Sequence, residues 1–429
     1  MKKFILKTHG CKSNQLESAV IKEKLLKNGF EIATKVEDSD YFILNSCSVT
    51  ENADNEALRT VRHAKNKNEK IITVLTGCCA QLNAEKLLNL PFVDIVLGNN
   101  DKFEIVKAIS EFKSSVNDIF EVSHFNNQPV HNYSNTRGYL KIQDGCNNYC
   151  SYCTIPLARG KSRSNTIDNI IKQIQDYTDS GIKEVVLTGI HIGQWGEDLN
   201  SKQRLKDLLS AIENTDIIRY RLGSLNTLEI DDELLDFLSS SKKFCPHFHL
   251  SLQSLNDNIL KLMNRHYNAK SCLDLMEKIE KKFELPFIGS DIIVGFPGET
   301  EDDFNQTLHN IKASKLSNIH VFPYSIRKNT KAAEMPYQIS EKEKHRRAAI
   351  LHEEALKKIN NFKEKNIGSL TEVLIEKKPD KKTNLLKGVT KNYLNVLINS
   401  HDKNLLNSIA TVKLLNIEKD TGRLIGELV

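Results

Sequence analysis

The sequence predicts an α/β protein of three parts: an N-terminal doubly wound parallel sheet, a central partial α/β barrel and a small C-terminal β-barrel. Two long segments alternate short apolar runs with amphipathic helical patterns, which is typical of βα units. Beyond Gly368 the pattern changes to short strand-like runs separated by turn residues. The 429 residues leave room for about two to four domains. We therefore predict domains at residues 1–122, 132–366 and 367–429.

Composition excludes several classes of protein. The apolar fraction of 39% and the charged fraction of 27% are those of a globular chain rather than a disordered one. No apolar run approaches the roughly 18 residues of a membrane-spanning helix, and early Lys and His residues leave no room for a secretory signal. We expect a cytoplasmic protein with no membrane contact. Nine cysteines then indicate metal or redox chemistry rather than a disulfide framework.

Three cysteines directly follow the first three predicted strands of the N-terminal part. Ligands of open parallel sheets bind beyond the carboxyl ends of the strands, so Cys11, Cys47 and Cys78 should converge on one point. Cysteines that only fill a core would more often lie inside the strands and helices. The predicted strands are residues 4–6, 41–44, 71–75 and 92–97, and the predicted helices are residues 15–27, 54–64 and 84–88.

A polar stretch at residues 123–136 separates this part from about six further βα units, which predict a partial or complete α/β barrel. A long helix rich in Lys and Glu follows at residues 340–366. The predicted barrel strands are residues 139–142, 184–187, 217–222, 248–252, 287–294 and 319–322. The five C-terminal strands are predicted at residues 370–375, 386–389, 393–398, 410–414 and 424–429.

The strongest local motif is Cys146, Cys150 and Cys153 with the spacing C-x3-C-x2-C, on the loop after the first barrel strand. Structural zinc usually takes four ligands in two C-x2-C pairs. Three close thiolates leave one corner unfilled, which suits a [4Fe-4S] cluster with one iron open to a substrate. Here the sequence resembles the radical S-adenosylmethionine (SAM) enzymes, in which an aromatic residue, here Tyr152, precedes the last cysteine. The resemblance implies that the open iron binds SAM and that reduction of the cluster yields a 5′-deoxyadenosyl radical.

Further motifs lie at residues 8–14, 45–47, 77–81, 139–163, 250–254, 263–265, 290–300 and 323–325. They narrow the resemblance to the radical SAM methylthiotransferase family. The resemblance implies a second [4Fe-4S] cluster on Cys11, Cys47 and Cys78, and an RNA-binding TRAM domain at the C-terminus. Cys79 occupies a variable position of the family motif, so Cys78 is the preferred ligand. Contacts to SAM are expected at Tyr152, Gly189 and Gln253.

Several other residues carry weaker expectations. Arg221 is expected with Gln253 at the mouth of the barrel, and the glycine-containing turn 295–298 either approaches the adenosine of SAM or is an ordinary β-to-α turn. His247 and His249 alternate on a strand and are interpreted as structural or pocket-lining. The remaining cysteines, Cys245 and Cys272, match no motif and should be small buried hydrophobic residues.

The family has three branches, two acting on the adenosine 3′ of the tRNA anticodon and one on an aspartate of a ribosomal protein. The segment 158–164, with the pattern A-R-G-x-x-R-S, resembles the threonylcarbamoyladenosine branch rather than the isopentenyladenosine or ribosomal-protein branch. The implied partners are the tRNA anticodon stem-loop and an electron donor such as flavodoxin or ferredoxin. Two alternatives lie outside the family. One is a non-catalytic iron–sulfur protein that binds RNA or senses redox state, and the other is structural zinc on the N-terminal thiols.

The charge distribution locates a candidate RNA surface. Residues 341–429 contain 18 Lys and Arg against 12 Asp and Glu, whereas the chain as a whole has a net charge of +5. Phosphate contacts from basic side chains position RNA without reading its sequence. The residues expected to make them are Lys342, Lys344, Arg346, Arg347, Lys377, Lys378, Lys381 and Lys382.

Overall fold

The computed structural model describes residues 1–130, 135–419 and 421–429. Its N-terminal part is a parallel sheet of five strands in the order β2-β1-β3-β4-β5. The order reverses beside β1, so the sheet is doubly wound, as predicted. The elements are β1 (Lys3–Thr8), α1 (Lys12–Lys27), β2 (Glu31–Ile32), β3 (Tyr41–Ser46), α2 (Glu51–Lys67), β4 (Ile72–Gly77), α3 (Cys78–Leu88), β5 (Ile95–Leu97) and α4 (Ile105–Glu111).

The central strand β3 shows why helices cover both faces of this sheet. All six of its residues are buried. Phe42 and Leu44 pack with α2, whereas Tyr41 and Ile43 pack with α1 and α4 on the opposite face. Successive side chains of a strand point to opposite faces of the sheet. A strand that is apolar throughout therefore needs helices packed on both faces.

The central part is an open arc of parallel strands. β6-β9-β10 and β11-β12-β13-β14 form two sheets, and β10 and β11 are separated only by Gly223. This confirms a partial barrel. The elements are β6 (Arg137–Lys141), β7 (Gln143–Asp144), α5 (Ile155–Arg159), β8 (Arg163–Ser164), α6 (Ile167–Asp179), β9 (Glu184–Thr188), α7 (Leu205–Glu213), β10 (Arg219–Leu222), β11 (Ser224–Leu225), α8 (Asp232–Ser240), β12 (His247–Gln253), α9 (Asp257–Leu262), α10 (Ala269–Lys282), β13 (Phe287–Val294), α11 (Glu301–Ala313), β14 (Asn318–Pro323) and α12 (Lys331–Glu334).

The long helix α13 (Glu341–Asn366) leads into a closed five-stranded barrel of order β15-β16-β17-β19-β18, as expected. Phe362 of α13 and Phe287 of the central part pack into the barrel's apolar cluster. The barrel therefore shares a core with its neighbours. Its strands are β15 (Leu370–Ile375), β16 (Leu386–Thr390), β17 (Asn395–Ile398), β18 (Ile409–Ile417) and β19 (Leu424–Leu428).

The structure adds elements that the sequence pattern did not predict. β2 and α4 are short, and α3 begins at Cys78 rather than at residue 84. A kink at Asn83 interrupts α3, which explains why only its second half shows a helical pattern. The predicted start of the second domain, residue 132, lies outside the described residues. Across the described ranges, no helix is both long and apolar enough to cross a membrane.

Candidate active site between two cysteine triads

Cys11, Cys47 and Cys78, here called the N-terminal triad, follow β1, β3 and β4 at the carboxyl edge of the sheet. β3 pairs with β1 on one side and with β4 on the other, so the three cysteines follow neighbouring strands. Cys11 is exposed, Cys47 is partly buried and Cys78 is buried. Burial raises the pKa of Cys47 to about 11, and the charges of Cys78 and Cys11 act in the same direction. The three thiols therefore share one electrostatic environment.

Two glycines make this convergence possible. Gly10 has φ of +113°, and a Cβ at that position would lie only 2.6 Å from the Cβ of Cys47. Gly77 has φ of +94°, and a Cβ there would overlap the carbonyl oxygen of Ser46. Only glycine tolerates both the left-handed backbone and the close approach. The two loops are thus brought together at a separation that side chains would prevent.

Asparagine side chains fix the loops of the N-terminal triad. Asn14 donates to the backbone carbonyls of His9 and Ser46, both at 3.0 Å, and so ties the first cysteine loop to the second. Its carbonyl oxygen accepts a hydrogen bond from Cys11 at 3.6 Å. Asn99 donates to the sulfur of Cys78 at 3.6 Å. A sulfur that accepts a hydrogen bond is better stabilised as a thiolate.

The neighbouring Cys79 lies in a different environment. It packs in the apolar cluster between the sheet and α2, and burial raises its pKa well above the ordinary value. Its sulfur accepts a hydrogen bond from Asn83 of its own helix at 3.8 Å. This placement supports Cys78 as the ligand. Cys245 and Cys272 are fully buried, as expected.

Cys146, Cys150 and Cys153, here called the central triad, lie on the loop between β7 and α5. Each sulfur has a polar neighbour from elsewhere in the chain or from the loop itself. Arg265 donates to Cys150 at 3.3 Å, and the backbone N–H of Ile155 donates to Cys153 at 3.5 Å. The Nδ1 atom of His191 lies 3.6 Å from the sulfur of Cys146.

The central loop is held in a conformation that again requires glycine. Gly145 has φ of +74°, and a Cβ there would overlap the carbonyl oxygen of Lys161. Burial is the main cause that raises the pKa of Cys153 to about 12, and the charges of Cys150 and Cys146 act in the same direction. Within the described ranges, no three Cys, His, Asp or Glu side chains form a group suited to a single metal ion. The thiolates of an iron–sulfur cluster bind different iron atoms, so they need not be grouped as tightly as the ligands of one zinc ion.

A cavity of about 690 Å³ opens beside the N-terminal triad. Its wall includes Cys11 of the N-terminal triad and Gly189 at the end of β9, two residues before His191. His247 and His249 also line it, as the sequence analysis allowed. The C-terminal barrel closes the cavity with the loop before β17 and the turn before β19, through residues 393–395 and 421–423. All three parts of the protein therefore contribute to one cavity.

The other predicted SAM contacts have varied environments. Tyr152 packs edge-on against Phe296, with ring centroids 6.3 Å apart, in a small apolar cluster. Gln253 ends β12 with φ of +66°, a conformation uncommon for a residue other than glycine. Neither residue lines the cavity.

Packing corrects the expectation for Arg221 and defines the surroundings of the turn at Gly295. Arg221 is fully buried and donates to the carbonyls of Thr390 and Lys391, at 3.2 and 2.8 Å. These hydrogen bonds join the central part to the C-terminal barrel. The side chain does not point into the mouth of the central α/β barrel. At Gly295 a Cβ would overlap the side chain of Lys344, so glycine is required here for the close approach of this turn to α13.

A buried ionic network, not apparent from the sequence, joins the segments beside the two triads. Glu17 of α1 accepts from Arg159 and Lys141, both at 2.8 Å, and is also paired with Lys102. Arg159 belongs to the segment after the central triad and also donates to Asn14 at 2.7 Å. The surrounding cations hold the pKa of Glu17 well below its ordinary value against the opposing effect of burial. The network thus links the start of α1, next to Cys11, to α5, the helix that follows Cys153.

The comparisons with known proteins cover both triads. The profile of the Radical SAM superfamily matches residues 140–311, and that of the Uncharacterized protein family UPF0004 matches residues 3–98. Threonylcarbamoyladenosine tRNA methylthiotransferase MtaB of Aquifex aeolicus is 38% identical over 87% of this chain and 92% of its own length. The chain belongs to the radical SAM methylthiotransferase family.

Two further relatives extend over nearly the whole methylthiotransferase chain. MtaB of Bacillus subtilis is 34% identical over 95% of this chain and 92% of its own length. The tRNA-2-methylthio-N(6)-dimethylallyladenosine synthase of Clostridium botulinum is 33% identical over 96% of this chain and 94% of its own length. Among solved structures, the radical SAM methyltransferase TsrM from Kitasatospora setae aligns with a TM-score of 0.57 at 13% identity, over 78% of this chain and 77% of that one. At this identity the likeness shows the fold alone.

The cofactors of this methylthiotransferase are two [4Fe-4S] clusters and S-adenosylmethionine. The two sets of three thiols fit two clusters, because each set is held by glycine-dependent loops and each leaves one iron without a protein thiolate. Hydrogen bonds to Cys78 and Cys150 provide the outer contacts that such clusters need.

Proposed function

We propose that this methylthiotransferase inserts a methylthio group at C2 of N6-threonylcarbamoyladenosine, the adenosine immediately 3′ of the tRNA anticodon. The observation that carries the proposal is one cavity lined by Cys11 of the N-terminal triad and by Gly189, which lies two residues before the His191 that contacts Cys146 of the central triad. A reaction that joins a sulfur atom to a carbon radical needs both centres on one substrate.

The six cysteines have separate roles in this proposal. Cys146, Cys150 and Cys153 would hold the cluster that binds SAM. Cys11, Cys47 and Cys78 would hold the cluster that presents sulfur. When bound, the first cluster and SAM supply a radical able to remove hydrogen from an aromatic carbon, which a general base at neutral pH does not do.

Other residues of the site hold the reactants in position and enclose them. Arg265 orients Cys150, and the backbone around Gly189 is the proposed support for the amino group of SAM. Tyr152 and Gln253 act from outside the cavity wall, and Tyr152 braces the central loop against Phe296. Walls contributed by all three parts limit the access of water to the reacting carbon. The electron donor is proposed to be a small redox protein of the flavodoxin or ferredoxin kind.

The tRNA surface is proposed at the loop between β15 and β16 of the C-terminal barrel. Lys378, Lys381 and Lys382 are exposed there, and they form no ion pair with a described residue. The basic residues of α13 do not all qualify. Lys344 and Arg347 are buried, and Arg347 pairs with Glu299 at 2.7 Å. They stabilise α13 and are not available to phosphates.

Isopentenyladenosine is the second candidate substrate, because the relative from Clostridium botulinum carries a dimethylallyladenosine activity in its name. Mass spectrometry of tRNA nucleosides from cells with and without the gene distinguishes the two. Loss of 2-methylthio-N6-threonylcarbamoyladenosine alone is the expected result. Loss of the methylthio-isopentenyl nucleoside would identify isopentenyladenosine as the substrate. Unchanged tRNA nucleosides would overturn both candidate substrates.

A further inference from the structure

Among the described residues, the cavity is lined by one lysine that forms no ion pair and no side-chain hydrogen bond. Lys12 is the first residue of α1, directly after Cys11, and its half-buried side chain lines the cavity. Among the described residues it forms neither an ion pair nor a side-chain hydrogen bond; its ammonium lies over the ring of Tyr393, 6.0 Å from the centroid. An ammonium removed from water without an anion is unfavourable, so this position favours a negatively charged ligand.

The other basic side chains of the cavity are already engaged. Lys363 donates to the carbonyl of Gly422 at 2.6 Å, and Arg423 pairs with Asp380 at 2.7 Å. Lys12 is therefore the cavity-lining lysine or arginine that remains available to a ligand, within the part of the chain that the structure describes.

The surroundings of Lys12 add positive charge. The guanidinium carbons of Arg221 and Arg137 lie 4.9 and 5.7 Å from the centroid of the same Tyr393 ring. Glu184 is the carboxylate of this group, and it already accepts from Arg219 at 2.7 Å and from Arg221 at 3.2 Å. Since the arginines outnumber the carboxylate, the cavity wall around Lys12 attracts anions.

The chemistry of the proposed substrate supplies such an anion. The threonylcarbamoyl group ends in a carboxylate, whereas the isopentenyl group is uncharged. C2 and the substituent on N6 lie on the same edge of adenine. An adenine whose C2 faces the cluster held by Cys11 therefore directs its N6 substituent toward the wall beside Cys11. We propose that Lys12 is a specificity-determining residue that binds the carboxylate of the threonylcarbamoyl group, an inference that rests on the proposed function.

The test uses the full chain with its clusters reconstituted under anaerobic conditions. Two anticodon stem-loop RNAs are compared, one with N6-threonylcarbamoyladenosine and one with the same nucleoside as its methyl ester. The protein is wild type, Lys12→Gln, Lys12→Arg or the matched control Lys22→Gln, an exposed lysine of the same helix. Iron content and the cluster absorption spectrum are recorded for each variant, because Lys12 adjoins a cluster ligand.

We expect Lys12→Gln to lower kcat/KM about 10- to 100-fold on the acid RNA, because a charge-assisted hydrogen bond is lost, and less than about threefold on the ester. Lys12→Arg should retain the preference for the acid, and Lys22→Gln should match wild type. Binding of the two RNAs, measured by fluorescence anisotropy, gives the same comparison if a variant has lost turnover.

Several outcomes would overturn the inference. Equal losses on both RNAs would assign Lys12 to a phosphate of the RNA. A loss of 5′-deoxyadenosine formation without RNA would assign it to the carboxylate of SAM. Equal wild-type rates on acid and ester would show that no cation binds this carboxylate, yet the proposed function would stand. Absence of wild-type turnover on the acid RNA would instead refute the proposed function itself.

Discussion

The two cysteine triads are assembled in opposite ways. The central triad lies on one short loop, and its geometry depends mainly on Gly145 and on contacts to Arg265 and His191. The N-terminal triad is collected from three loops by the order of β1, β3 and β4 in the sheet. A local loop can bind a cluster as a unit, whereas a site made from three loops depends on the whole sheet. The difference implies that the two sites respond differently to mutation.

The largest expected effect separates the two triads directly. Cys150→Ala should abolish both 5′-deoxyadenosine formation and methylthio insertion, whereas Cys47→Ala should abolish only the insertion. Each variant should retain about four of about eight irons per chain, because the proposed assignment gives each cluster its own three thiolates. Iron analysis, product assays by mass spectrometry and spectra of the anaerobic proteins measure this. Loss of all iron in either variant would mean that the sites do not form independently.

Adjacent cysteines offer a matched comparison within the N-terminal triad. Cys78→Ala should lose the irons of that site, because Cys78 lies beside Cys47 and Asn99. Cys79→Ala should keep them and lower the free energy of unfolding by about 1 kcal/mol, since it removes one small buried group from the core. Iron content and chemical denaturation provide the two readouts. Full iron content in Cys78→Ala would show that Cys79 can replace Cys78.

The ionic network between the triads predicts an effect on stability. Glu17→Gln should lower the free energy of unfolding by about 3–5 kcal/mol, because three buried cations lose their common carboxylate. Glu104→Gln, at an exposed position of the same part, serves as the control. Thermal or chemical denaturation of the two variants measures the difference.

The same pair of variants carries a pH dependence. The pKa of Glu17 is lowered in the folded state, so its contribution is complete above the unfolded pKa of about 4.3 and is lost as the pH falls through the folded value. The difference in the free energy of unfolding between wild type and Glu17→Gln should therefore be constant near neutral pH and become smaller only in acid. A difference that becomes smaller as the pH rises would contradict this assignment.

The smallest expected effect concerns the proposed RNA surface, whose residues belong to neither triad. Replacing Lys378, Lys381 and Lys382 with Gln should weaken tRNA binding and reduce the slope of log affinity against log salt by about 2 to 3. The control replaces Lys270, Lys278 and Lys282 of α10, which are exposed but ion-paired. Filter binding over a series of salt concentrations measures the slopes. An unchanged slope would remove this loop from the RNA surface.

The central triad was predictable because its spacing is local, and the N-terminal triad because parallel strands end at one edge of a sheet. Contacts such as those of Arg265 and Asn99 could not be predicted by the same reasoning. Each comes from a residue distant in sequence, and its partner is fixed only by packing. Arg221 illustrates the failure, since its strand was predicted correctly but the C-terminal barrel covers its side chain.

The sequence alone determined the α/β class, the order of the three parts and the six candidate cluster cysteines. Hydrophobic periodicity and residue spacing are local properties, and they are sufficient for these conclusions. Only the tertiary structure decided that Cys79 faces the core, that α13 buries Lys344 and Arg347 and that Lys12 lines a cavity formed by all three parts. Direction, burial and ionic partners depend on residues far apart in the chain, and these meet only when the separate elements pack.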